Sequence, residues 1–95
     1  MALWKLSLVA RIEQHKQYPE EARLKRDQGV VQVFFVLDRE GRVLESRVVR
    51  SSGANALDEE ALALLKRAEP YPPPPEVLSG DHVKLTVPIR FNLNK

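Results

Sequence analysis

The stretch HVKLTVPIRFNL, residues 82–93, alternates apolar and polar residues throughout, yet Pro88 stands in its middle. Alternation of this kind marks a β-strand with one buried face. Proline has no N–H to give to a ladder, so within sheets it is confined to edges, strand starts and bulges. Val83, Leu85, Val87, Ile89, Phe91 and Leu93 share one parity, and Lys84, Thr86, Pro88, Arg90 and Asn92 share the other. Side chains and backbone groups both alternate with period two along a strand. The apolar set must face the core. The set that contains the proline must turn its backbone groups to a side where no ladder partner waits, because a missing donor costs little only there. Strand 83–93 is therefore expected at the margin of its sheet, with backbone groups of Lys84, Thr86, Arg90 and Asn92 open along the edge.

The rest of the chain supplies what such a strand can pair with and pack on. Trp4, Leu8 and Ile12 recur at the spacing of an amphipathic helix, which should fade before HKQYP because Tyr18 precedes a proline. Pro19 suits the first position of a short second helix, Glu20 and Glu21 complement its dipole, and Gly29 is read as its stop. VVQVFFVL and RVLESRVVR then flank a turn at residues 38–41, predicting a hairpin with a central first strand and a more exposed second one. Leu57, Ala61, Leu64 and Leu65 predict a further helix with Asn55 or Asp58 as its cap. PYPPPP is extended, because every residue before a proline is driven out of the helical region.

Hairpin neighbours pair, and a right-handed strand-helix-strand crossover returns its second strand parallel to the first. The expected fold is therefore α+β: a three-stranded antiparallel sheet in the spatial order second, first, third strand. Two helices pack on one face, and a short helix follows Tyr18 and Pro19. Residues 1–10 read as an extension carrying the start of the first helix, and residues 11–95 as the domain proper.

Several function classes find little support. Fifteen basic and thirteen acidic residues interleave along the chain instead of forming runs, so no polyanionic partner is implied. The longest strongly apolar stretch, residues 30–37, is far short of the roughly 20 residues that span a bilayer, and MALWKLSLVARIEQ lacks the pattern of a signal peptide. There is no cysteine. His15 and His82 stand apart with no zinc spacing, and Glu20-Glu21 and Glu59-Glu60 are neighbouring helix charges. No catalytic constellation, metal site or cofactor site is expected. Phe34 and Phe35 with Arg42, Arg47 and Arg50 suggest a nucleic-acid sheet as the alternative, but VFFVL lacks the glycines of an RNA-recognition signature, and one of the two rings must point at the helices.

The residues alone admit two uses for the proline edge: protection against aggregation, or docking of an extended peptide. QYPEEARLKRDQGVVQVFFVLDREGRVLESRVVRSSGANALDEEALALLKRAEPYPPPP followed by VPIRF resembles the C-terminal domain of TonB-family energy transducers. The resemblance covers residues 11–93 and rests on an ordered set. It comprises Tyr18-Pro19 with Ala22, Gly29, the 38–41 turn, Ser51-Ser52-Gly53, Leu57-Asp58 with Ala61-Leu62, the proline run, and Val87-Pro88-Ile89. Many members carry an aromatic pair near the end of the long helix, where this chain has Ala68-Glu69-Pro70-Tyr71. The end domain of TolA shares a related fold and matches these pieces less well.

The resemblance implies a periplasmic domain of a protein anchored in the inner membrane. Its partners would be an ExbB and ExbD motor, reached through the missing N-terminal region, and TonB-dependent outer-membrane transporters of siderophore, haem or cobalamin type. A short TonB box of the transporter would add as a strand to the edge of strand 83–93, beside Lys84, Thr86, Pro88, Arg90 and Asn92. The family also places the segment ahead of the Tyr-Pro pair near the box, which carries over to His15, Lys16, Gln17, Tyr18 and Pro19.

Overall fold

The computed structural model describes residues 2–78 and 80–93. Its elements are α1 (Ala2–His15), α2 (Glu20–Lys25), β1 (Gly29–Asp38), β2 (Val43–Arg50), α3 (Asn55–Arg67) and β3 (His82–Phe91). The strands form one sheet in the order β2-β1-β3, with both pairings antiparallel. This is the topology the hairpin and crossover rules predict.

The core lies on one side of that sheet. Val31, Val33, Phe35 and Leu37 of β1 are fully buried at alternate positions, and Leu85, Ile89 and Phe91 of β3 join them from the same face. Leu57, Ala61, Leu64 and Leu65 of α3 close over these strands, and α1 adds Trp4, Leu8 and Ile12 at its predicted spacing. Each large side chain removed from water contributes about 1.5–3 kcal/mol, so this layer carries most of the stability of a small domain.

The proline run straps the layers together. Trp4 donates its indole N–H to the carbonyl of Pro72 at 2.9 Å, a packing and bonding role that fits its place on the buried stripe of α1. Tyr71 is buried; its hydroxyl donates to Leu65 O at 2.8 Å, and its ring centroid lies 6.0 Å from that of Phe35. Its N–H donates to Gly41 O at 2.8 Å, which ties the strap to the β1-β2 turn. In that turn Asp38 Oδ1 accepts the N–H groups of Glu40 and Arg42, both at 2.9 Å. The Arg42 N–H and its guanidinium, with Glu40 N–H, hold the Asp38 carboxyl below its ordinary range.

Two expected helix ends are corrected. Gly29 does not stop α2; Arg26 does, in the left-handed conformation at φ 59°, with Asp27 N–H returning to Ala22 O at 2.8 Å. With the bond from Arg26 N–H to Arg23 O at 3.1 Å, this satisfies two of the last carbonyls of α2, and Gly29 is released to start β1, where a Cβ would sit 3.0 Å from Ser52 O. Neither Asn55 nor Asp58 caps α3: the cap position is Ala54, with no side-chain bond. Asp58 instead reaches back to the preceding loop, accepting Ser52 N–H at 3.0 Å, the Ser52 hydroxyl at 2.8 Å and the Ser51 hydroxyl. Burial pushes the Asp58 carboxyl up, but these three donors more than offset it and leave it below the usual carboxylate range.

Candidate functional site

The two margins of the sheet differ. Along β2 the pairing with β1 breaks twice, between Gln32 and Val33 and between Val36 and Leu37, so Val49 and Leu44 have no partner and stand 47% and 60% exposed. Such bulges bend a strand and spoil its outer edge as a template. Along β3 every residue from His82 to Phe91 has a partner in β1 with no shift in register. The sheet therefore has one kinked margin and one regular margin, and the proline sits in the regular one.

The parity read from the sequence holds in three dimensions. Lys84, Thr86, Pro88 and Arg90 are exposed, whereas Leu85, Ile89 and Phe91 are buried and Val83 and Val87 half-buried. Pro88 faces Gln32, Thr86 faces Phe34 and Arg90 faces Val30. Two side-chain bonds report the direction of the backbone independently. Arg90 O accepts from Lys16 Nζ at 2.6 Å, so an even residue turns its carbonyl away from β1. Leu93 N–H donates to Gln28 Oε1 at 3.0 Å, so an odd residue turns toward the β1 side. Pro88 belongs to the even set, and its nitrogen lies where the β1 ladder asks for no donor.

Arg90 departs from one expectation, since its carbonyl is not open in this domain but is taken by Lys16. The same ammonium pairs with Glu13 at 2.9 Å and lies 5.7 Å from the ring centroid of Phe91. No sequence signal couples positions 16 and 90; only the return of α1 past the end of β3 does.

The segment 15–19 and the end of β3 are thus brought together. Tyr18 meets Phe91 edge-on with centroids 5.7 Å apart, and its hydroxyl donates to Asp27 O. Loss of solvation, then the nearby Asp27 carboxylate, raise its pKa. Gln17 N–H donates to Glu60 Oε2 at 3.2 Å, and the carbonyl of His15 accepts from Arg67 Nη2 at 3.0 Å. Glu60 and Arg67 also pair with each other. Sequence reasoning missed this clamp, although a seven-residue spacing puts both on one helix face. Pro19 is the N-cap residue of α2. Asn92 lies just past the last residue of β3 and is exposed. Of the ten candidate residues, Lys16 and Tyr18 reach the end of β3, at Arg90 and Phe91, whereas His15 and Gln17 bond to Arg67 and Glu60 of α3 and Pro19 lies beside Glu59 and Glu60; Lys84, Thr86 and Pro88 lie farther along the edge that ends at Arg90 and Asn92.

The sheet face opposite the helices carries one aromatic ring, as the sequence requires. Phe35 points at the helices, and Phe34 lies under the guanidinium of Arg47 at 4.6 Å from its ring centroid. Among the described residues no group of three or more His, Cys, Asp or Glu side chains is placed to hold a metal ion, and no helix is long and apolar enough to cross a membrane.

Comparison with known proteins gives a consistent result. Residues 14–93 match the family model described as Gram-negative bacterial TonB protein C-terminal. The chain is 34% identical over 93 residues to Protein TonB of Pseudomonas putida, covering 97% of this chain and 38% of that protein. It is 37% identical over 90 residues to Protein TonB of Pasteurella multocida, covering 95% of this chain and 34% of that one. The chain therefore spans little more than a third of these curated relatives. Among solved structures, the Helicobacter pylori TonB C-terminal domain superposes with a TM-score of 0.84 at 27% identity, covering all of this chain and 85% of that one. The HasB C-terminal domain superposes with a TM-score of 0.63 at 43% identity, covering 97% of this chain and 71% of its own.

Proposed function

Because this chain belongs to the family of TonB protein C-terminal domains of Gram-negative bacteria, we propose that it is the receptor-coupling end of a TonB-like energy transducer. In this reading it lies in the periplasm, on a protein held in the inner membrane by a segment outside this sequence. It binds the TonB box of outer-membrane transporters and passes on work derived from the proton-motive force for nutrient uptake. An ExbB and ExbD type motor would act on the rest of the protein. The domain itself performs no reaction and needs no cofactor.

The observation that carries this reading is the contrast between the sheet margins. The β3 edge runs ten residues without a register break and holds a proline where no intramolecular donor is needed, whereas the β2 edge is bulged twice. An extended segment adds to a regular edge through main-chain bonds, and alternate side chains then supply selectivity. Lys84, Thr86, Pro88, Arg90 and Asn92 would flank the added strand. His15, Lys16, Gln17, Tyr18 and Pro19 would border its end near Arg90. Each backbone bond contributes about 1 kcal/mol net, so the grip is modest after the cost of ordering the peptide.

Titration of the isotope-labelled domain with synthetic peptides from the N-terminal segments of TonB-dependent transporters tests it. Shifts should concentrate on residues 84–92. Salt-dependent binding to oligonucleotides, with no response to any transporter peptide, would favour the nucleic-acid alternative instead.

A further inference from the structure

At the start of β3 lies a hollow of about 440 Å³, lined by Val77, Leu78, His82, Val83 and Lys84. No residue of β1 lines it, although β1 pairs with β3 along the whole strand, so it opens beside the unpaired side of β3. Val77 stands 77% exposed, and Leu78 and Val83 rest partly buried against the core. The wall is held in place: Arg39 donates to Leu78 O, and its Nη2 donates to Pro75 O at 3.2 Å. The apolar surface is therefore built into the free edge at one end, and nothing in the described chain covers it.

We propose that this hollow is the register anchor of the docked strand: it takes one bulky aliphatic side chain, of leucine, isoleucine or methionine type, carried by the segment that adds opposite residues 82–84. The inference rests on the strand-addition reading. Beyond this end the exposed residues of β3 are Thr86, Pro88 and Arg90, with Val87 half-buried on the other face. Main-chain bonds alone do not distinguish a strand from the same strand slipped by two residues. An apolar side chain seated on Val77, Leu78 and Val83 removes that degeneracy, because a slip by two leaves it in water. The ammonium of Lys84 on the rim disfavours a basic side chain at the same place.

The chain has no cysteine, so Asn92→Cys supplies a single thiol at the opposite end of the edge. Peptides of about ten residues, alternating threonine and valine, span the distance back to His82. They are attached through an iodoacetyl group at either terminus, so that both strand directions are sampled. The two residues farthest from the tether are Leu-Leu or Ala-Ala, which places one of them on the hollow whichever face it takes. The fraction docked is read from amide shifts of residues 84–87, 89 and 90, and seating from shifts of Val77, Leu78 and Val83. The Leu-Leu peptide should dock with a docked-to-free ratio about tenfold higher than Ala-Ala. It alone should move Val77 and Leu78, and Val77→Asp should abolish the difference. Equal docking of both peptides, with shifts along 84–90, overturns the anchor and leaves strand addition standing. Absence of shifts along 84–90 with either peptide overturns strand addition and the anchor with it.

Discussion

Pro88 stands opposite Gln32 in an unbroken ladder, and both side chains lie on the sheet face that the helices leave uncovered. The pair sits where β3 turns its backbone nitrogen away from β1. The same parity applies to Thr86 and Arg90, and the reverse to Val87 and Ile89. Thr86→Pro or Arg90→Pro should therefore leave the circular dichroism spectrum nearly unchanged while weakening binding of a transporter peptide. Val87→Pro or Ile89→Pro should cost about 3 kcal/mol or more in a denaturant titration, because each removes a donor the β1 ladder uses. The opposite pattern would reverse the assignment of the edge.

Lys16 holds the carbonyl of Arg90 at 2.6 Å in the domain alone. A strand that uses this acceptor must displace the ammonium, so Lys16→Met should tighten peptide binding by up to about fivefold, the equivalent of one net hydrogen bond. Calorimetric titration of both proteins with the same peptide decides it. Weaker binding instead would place Lys16 among the groups that grip the peptide directly.

Asp58 stabilises the loop ahead of α3 through three donors from Ser51 and Ser52. Asp58→Ala should lower stability at pH 7 by about 1–3 kcal/mol, since it leaves those donors without their acceptor. The native-state pKa is depressed, so the contribution of the carboxylate is complete above the ordinary aspartate value and is lost as pH falls through the native one. The gap between the two proteins should therefore narrow below about pH 4. Urea midpoints measured across this range check the sign.

Gly41 adopts φ +85°, and a Cβ there would lie 2.0 Å from the carbonyl oxygen of Tyr71. Gly41→Ala combines a strained backbone with a clash against main chain, which cannot swing away as a side chain could. The strap and the hairpin turn must then separate, with loss of the bond from Tyr71 N–H to Gly41 O. Destabilisation by about 3 kcal/mol or more is expected. Thermal unfolding followed by near-ultraviolet signals from Tyr71 and Trp4 would show it.

Much of this architecture is legible in local pattern. The alternation of β3, the helical spacing of Trp4, Leu8 and Ile12, and the β1-β2 turn depend on period and on backbone chemistry that neighbouring residues dictate. The helix ends were less legible. Arg26 takes a left-handed conformation that glycine adopts more readily, and Asp58 bonds to serines behind it instead of capping its own helix. In both places a few competing hydrogen bonds of similar strength are available, and packing selects among them.

By itself the sequence determined which face of β3 is buried and which edge of that strand tolerates a missing donor, because parity and the chemistry of proline are properties of a single strand. Tertiary structure alone decided the rest of the candidate site. It set which sheet margin is regular, since the bulges at Leu44 and Val49 arise only when β2 is laid against β1. It brought Lys16 to Arg90 and Tyr18 to Phe91 across more than seventy residues of chain. It also left Val77 uncovered beside His82 and Lys84. Contacts of that kind depend on how elements distant in sequence pack together, and no local period encodes them.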